Sequence, residues 1–302
     1  MPRVNVRSRA RRRRWPVVTA AAVTLVATGV AGAATTPFSF STGDPDGLIA
    51  TASRPASAGK IETETADDFI LTQQTTLNTA SFTGLLTGGA TTAGVNRVTI
   101  DIYRIFPNES DTTRTITVPT RLNSPGDVEL VGRDTASSDM TFTTTTVAGT
   151  FAAANSVVSG IHASPAQTTG GEGAVTGTEV RFDVTFTTPL NLAADHYFFR
   201  PEVGVGTGEF LWLSAPRPLT NGQAFLPDLQ TWVRNETIGP DWVRVGADVV
   251  GGTVAPAFNA SFSIAGTTGS TTGVPLPAAV WPGAALLGLL GVRGRRALVR
   301  QG

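Results

Sequence analysis

Between residues 34 and 273 apolar side chains return at every second position. Val98, Ile100 and Ile102 alternate with Thr99, Asp101 and Tyr103. Val180, Phe182, Val184 and Phe186 alternate with Arg181, Asp183 and Thr185, and Phe258, Ala260, Phe262 and Ile264 with Asn259, Ser261 and Ser263. A period of two places each set on its own face of a strand, and a mostly polar second set predicts antiparallel sheet with one wetted side. Further strands are predicted at residues 80–86, 114–118, 128–131, 140–147, 197–203 and 210–213, about nine to eleven in all with Gly, Pro and Asn turns between them. Helical periodicity is hard to find, and no repeat of fixed period points to a propeller or solenoid. The pattern predicts one all-β domain over residues 34–264, an antiparallel β-sandwich or jelly roll. Residues 87–95 and 164–177 read as loops, and the Gly/Thr/Ser run 265–273 as a flexible tether.

Both ends of the chain break this pattern. Residues 1–33 hold seven arginines (Arg3, Arg7, Arg9, Arg11, Arg12, Arg13 and Arg14) and no acid. An apolar run over 17–30 follows, and Ala31-Gly32-Ala33 sets Ala31 and Ala33 at the −3 and −1 positions of a signal-peptidase site. Arginines that stay at the anionic cytoplasmic leaflet while the apolar run enters the bilayer predict an N-terminal signal helix and export. An uncut anchor is the alternative, and the small residues argue for cleavage. Arg13-Arg14-Trp15 does not meet the twin-arginine consensus, so the general secretory route is expected.

The other end, 274–302, again holds arginines (Arg293, Arg295, Arg296, Arg300) and no acid. It opens Val274-Pro275-Leu276-Pro277-Ala278-Ala279-Val280-Trp281-Pro282-Gly283 and continues as an apolar run to Val292. An apolar stretch this short falls below the ~20 residues of an ordinary span. Arg293, Arg295 and Arg296 just after it would act as a stop-transfer signal, remaining cytoplasmic and placing the body outside. A short, arginine-stopped transmembrane helix suits a transient anchor that is later removed.

Motif, apolar run and arginine cluster, in that order and spacing over residues 274–297, resemble the tripartite sorting domain of the PEP-CTERM family in its VPLPAA-type variant. One position departs from the usual form: Leu276 stands where a glutamate commonly follows the first proline. The resemblance implies recognition by an exosortase, a membrane-embedded cysteine protease or transpeptidase, with cleavage near residues 274–279 and delivery to the cell surface or matrix. A second, weaker resemblance links Ala66-Asp67-Asp68-Phe69 to the opening strand of sandwich domains in bacterial surface proteins.

Formal neutrality over the whole chain hides an acidic body. The two ends take eleven of the 23 basic residues, leaving 12 for positions 34–273 against all 23 acidic ones, a net charge of about −11. Such a body repels nucleic acid. The absence of cysteine excludes disulfides, thiolate metal sites and a cysteine nucleophile, so the exported fold must rest on packing alone.

Candidate chemistry is sparse. The two histidines are His162, in a Ser/Gly-rich loop, and His196, beside Asp195. Neighbours on a strand point to opposite faces, so Asp195-His196 reads as a turn entering a core strand in preference to a dyad. Nucleophile-elbow, zincin and phosphate-loop motifs are absent. Glu62, Glu64, Asp67 and Asp68 form the densest acidic group, but alternate acids on a strand read as a solvated face before they read as a glycosidase pair. Asp44-Pro45-Asp46-Gly47 is a tight-turn signal, with calcium at Asp44 and Asp46 as a possible addition. Trp212, Trp232 and Trp242 read as core, or alternatively as platforms for sugar rings.

These readings together predict an exported, non-catalytic surface or extracellular-matrix protein, processed at its tail and contributing adhesion or envelope and biofilm structure. Its expected partners are signal peptidase, an exosortase-type enzyme and a matrix polysaccharide, with no cofactor beyond possible calcium and membrane contact only through the C-terminal helix. Carbohydrate-binding module and secreted hydrolase are the alternatives.

Overall fold

The structure, a computed structural model, describes residues 35–57, 59–163, 168–216, 229–253 and 256–269. The expected signal peptide, sorting motif and stop-transfer arginines lie outside these residues. The described chain forms strands β1 (Thr35–Ser41), β2 (Ile49–Ala52), β3 (Thr63–Leu71), β4 (Thr75–Thr87), β5 (Val95–Arg104), β6 (Val131–Asp134), β7 (Met140–Ala153) and β8 (Asn155–Val157). They continue as β9 (Val175–Leu192), β10 (Asp195–Val205), β11 (Glu209–Ala215), β12 (Trp232–Asn235), β13 (Val243–Arg244), β14 (Asn259–Ala260) and β15 (Phe262–Gly269).

These strands make two sheets, an all-β architecture consistent with a β-sandwich. One sheet runs β1-β15-β4-β11-β2-β8, with β9 and then β7 on the far side of β4 and β14 against β11. The other runs β13-β12-β3-β10-β5-β6. Every described pairing is antiparallel except β2 with β8. Along β5 and β9 the alternating apolar residues all point to the shared interior, where Val98, Ile100, Ile102, Val180, Phe182 and Val184 are buried. Aromatic rings fill the layer between the sheets. Phe82 stacks on Phe182 at 4.8 Å and Phe199 on Phe262 at 4.9 Å, while Trp212 packs edge-on against both Phe199 and Phe262. Each large side chain so buried contributes roughly 1.5–3 kcal/mol, which is how a chain without disulfides holds its fold.

Three expectations are corrected. Residues 114–118 are not a strand: Thr117 uses its N–H and its hydroxyl to bind the carboxylate of Asp241, at 2.9 Å each, so this segment is held by a side chain and not by a ladder. The strand expected at 128–131 begins at Val131. The supposed tether at 265–273 is strand as far as Gly269, lying between β1 and β4 in the register Thr35↔Gly269 and Thr268↔Thr75. Its small residues serve close backbone approach: a Cβ on Gly266 would lie 1.9 Å from the Thr76 carbonyl oxygen.

Candidate functional site

The outer face of the second sheet, expected to be wetted, is covered and charged. Glu64, Ala66 and Asp68 on β3 share that face with Asp101 and Tyr103 on β5, Phe198, Arg200 and Glu202 on β10, and Trp232 and Arg234 on β12. The registers place Arg200 opposite Asp101, Phe198 opposite Asp68, Trp232 opposite Ala66 and Arg234 opposite Glu64. Segment 106–130 folds over them: the Trp242 indole donates to the Gly126 carbonyl at 3.1 Å and Arg234 to that of Asp127 at 3.0 Å. Beneath it Ala66, Tyr103, Phe198, Trp232 and Trp242 form a small second core.

Arg200 is the hub of the polar part of this face. Its side chain, 3 % exposed, meets Glu64 at 2.5 Å, Asp101 at 2.6 Å, Glu62 at 3.1 Å and Glu202 at 3.2 Å. Glu64 bridges it to a second cation, Arg234, whose guanidinium lies 4.3 Å from the centre of the Trp242 ring and donates to the Tyr103 hydroxyl at 3.0 Å. Burial alone would raise Glu64, but Arg200 and Arg234 outweigh it and hold its pKa below the usual value. Asp101 and Glu202 have one close cation between them and several acids nearby. Burial pushes Asp101 up to about 6 and Glu202 up to about 7, against the pull of Arg200.

The sign of the resulting pH dependence is fixed by these raised values. Protonated Asp101 and Glu202 stabilise the fold fully below their ordinary pKa values of 3.8 and 4.5, and that stability is lost as pH rises to about 6 and 7. Glu64 acts oppositely, weakening the fold as pH drops below 4.5. The melting temperature should therefore fall from pH 5 to pH 8. Glu202→Gln should recover on the order of 2 kcal/mol at pH 8 and change little at pH 5; an unchanged slope in thermal melts of the variant would remove Glu202 from this role.

A cleft of about 280 Å³ opens beside the network, lined by Glu62, Glu64, Asp127, Arg234, Asn235, Glu236, Gly239 and Pro240. Paired carboxylates in a cleft are what a hydrolase needs, one of them kept protonated as the acid. Here the inner two are engaged by cations. Glu64 is held by two arginines, and Asp127 accepts from Arg114 at 3.1 Å, Arg121 at 2.5 Å and the Asp111 N–H at 3.0 Å. The two carboxylates of the Arg200 network with raised pKa, Asp101 and Glu202, are not among the cleft's lining residues. This arrangement locks Glu64 and Asp127 to the arginines around them.

The remaining predicted residues are placed as follows. His196 turns its ring to Asp68 at 2.6 Å, while Asp195 accepts the His196 backbone N–H at 2.9 Å and faces Arg104 at 3.5 Å, so no Asp195–His196 ring contact forms. Asp46 closes its own turn, accepting from the Leu48 N–H at 2.9 Å and the Ser214 hydroxyl at 2.5 Å, and Asp44 is exposed. Among the described residues no group of three or more histidine, aspartate or glutamate side chains is placed to hold a metal ion. Trp212 and Trp242 are each 1 % exposed, so neither presents a ring face to a sugar.

Trp232 differs from the other two. It lines a second cavity, of about 440 Å³, together with Thr120, Leu122, Asn123, Leu229, Gln230, Arg244 and Ala257. Sequence reading missed Arg200, Glu202, Asp101, Gln230 and Arg244. A usable signal existed for the first two: a lone Arg and Glu spaced by two within the bulky run Tyr197-Phe198-Phe199-Arg200-Pro201-Glu202-Val203.

No family model matches the chain, and no curated protein or solved structure matches it.

Proposed function

We propose that this chain is an exported, non-catalytic protein of the cell surface or extracellular matrix that contributes adhesion or envelope structure. In this reading a signal helix over 1–33 directs export. A β-sandwich ectodomain of jelly-roll type follows, and the PEP-CTERM-like segment 274–302, with its short transmembrane helix, is read by an exosortase-type enzyme. The observation that carries it is the pairing of the first described strand with the last, Thr35 opposite Gly269. Every residue of this described ladder lies between 35 and 269. Cleavage after Ala33 and again near residues 274–279 would therefore leave every described pairing intact and release the body from both membrane-directed ends together. The arginine-locked carboxylates of the cleft favour a load-bearing role over hydrolysis.

Deleting residues 274–300 should move the protein from the membrane and surface fractions into the medium while its β-type circular dichroism spectrum persists. Unchanged fractionation would sink the sorting role, and loss of the spectrum would sink the independence of the body from its tail.

A further inference from the structure

We propose that the outer edge of β7 pairs with the same edge of a second copy of this chain, antiparallel about Thr144, and so joins two sheets into one. An edge strand presents backbone N–H and C=O groups that no ladder satisfies, and folds ordinarily guard it by shortness, proline, charge or a bulge. The other edges here carry such guards. Strands β8, β13 and β14 are three, two and two residues long. Pro37 interrupts β1, and β6 is four residues ending in Arg133 and Asp134. By contrast β7 is fourteen residues long, pairs only with β9 among the described residues, and holds no charged residue and no proline. Its irregularities begin after Thr146, leaving 140–146 in unbroken register with β9. Further on the chain turns in towards Gly47, whose carbonyl accepts the Ala154 N–H at 2.9 Å.

The open run suits a copy of itself. Thr141, Thr143 and Thr145 are exposed, and Val147 is 56 % exposed. With Thr144 on the two-fold axis, Thr143 lies opposite Thr145 of the second copy. Val147 then meets Thr141 where the ladder ends, so β-branched side chains face one another along the exposed row. The charges one strand further in select this register. Thr143 stands opposite Asp183 of β9 and Thr145 opposite Arg181. Reversal about Thr144 sets Arg181 of one copy in the same row as Asp183 of the other. An axis at Thr143 would align Asp183 with Asp183, and one at Thr145 Arg181 with Arg181. With a single unguarded edge among its described strands, the chain closes into a dimer and does not grow into a fibre. This association is independent of how the chain is exported.

The chain has no cysteine, so a disulfide in any single-cysteine variant joins two copies. Directly opposed residues of antiparallel strands lie about 4.5–5.5 Å apart at Cα, within the span a disulfide bridges. In the full chain, held in detergent and mildly oxidised, Thr144→Cys should therefore cross-link at least about tenfold faster than Thr185→Cys, an exposed control on β9 one strand in from the edge. Thr143→Cys and Thr145→Cys should cross-link to each other when mixed more than either does to itself, the reverse of a parallel pairing. Adding Thr143→Lys and Thr145→Lys to Thr144→Cys sets like charges directly opposite and should slow cross-linking about tenfold. Sedimentation reads the same dimer without a cross-link. At about 100 µM, where a dimer of micromolar affinity is populated, the parent chain should sediment as a dimer and its double-lysine variant as a monomer. Equal rates at Thr144 and Thr185 would overturn the proposal. So would indifference to the lysines, a parent that sediments as the variant does, or assemblies larger than a dimer.

Discussion

Arg200→Met is expected to destabilise the fold by about 3–5 kcal/mol, because removing one member of a buried ion network strands the others. Methionine preserves much of the side-chain length but leaves Asp101, Glu202 and Glu64, all at least half-buried, without the cation they share. Glu64 keeps Arg234; Asp101 and Glu202 have no second arginine at comparable distance among the described residues. For a body of this size each kcal/mol shifts the melting temperature by roughly 2–4 °C, so a drop of about 6–20 °C should appear in a thermal melt. The drop should be larger at pH 8 than at pH 5, since Asp101 and Glu202, raised to about 6 and about 7, can take up protons at the lower pH and shed the stranded charge. A loss under 2 °C at pH 8 would mean that the network contributes nothing to stability.

Gly266→Ala should be nearly as severe, although it adds one methyl group in a stretch that looks like linker. The new Cβ would meet the Thr76 carbonyl oxygen at 1.9 Å and the Leu77 Cα at 2.8 Å. Both neighbours are backbone of β4, held on its other side by β9, so neither can move without opening two ladders. Overpacking of this kind costs about 1–3 kcal/mol and occasionally more. Gly269→Ala supplies the control from the same run. Nothing lies within 4 Å of its Cβ, and it should stay within about 0.5 kcal/mol of the parent. Equal, negligible effects of the two substitutions in denaturant unfolding would restore the tether and remove β15 beyond Ile264.

The strands that carry the shared interior were legible because their chemistry is binary. Val98, Ile100 and Ile102, and Val180, Phe182 and Val184, can only face inward, and the period of two follows. Composition misled at β15, where Ala265-Gly266-Thr267-Thr268-Gly269 has the residues of a flexible linker; small side chains there permit a strand to fit between two others. The outer face of the second sheet was misread for a related reason. Charge at every second position is the mark of a solvated face, and only the fold brings segment 106–130 against Arg234 and Trp242 at its border. An ion network formed by four strands has no local spacing to find. Trp232 shows the opposite limit: its sequence context gives a core tryptophan, and its burial agrees. That its indole N–H and the neighbouring Gln230 oxygen find no partner among the described residues is visible only in the fold.

The mass of the protein isolated from the cells that make it bears most directly on the central claim, that two membrane-directed ends flank a self-contained β body. The account predicts a chain beginning at Ala34 and ending between Val274 and Ala279, carrying whatever group the sorting enzyme leaves there. A chain that still contains residues 1–33 and 274–302 would contradict it.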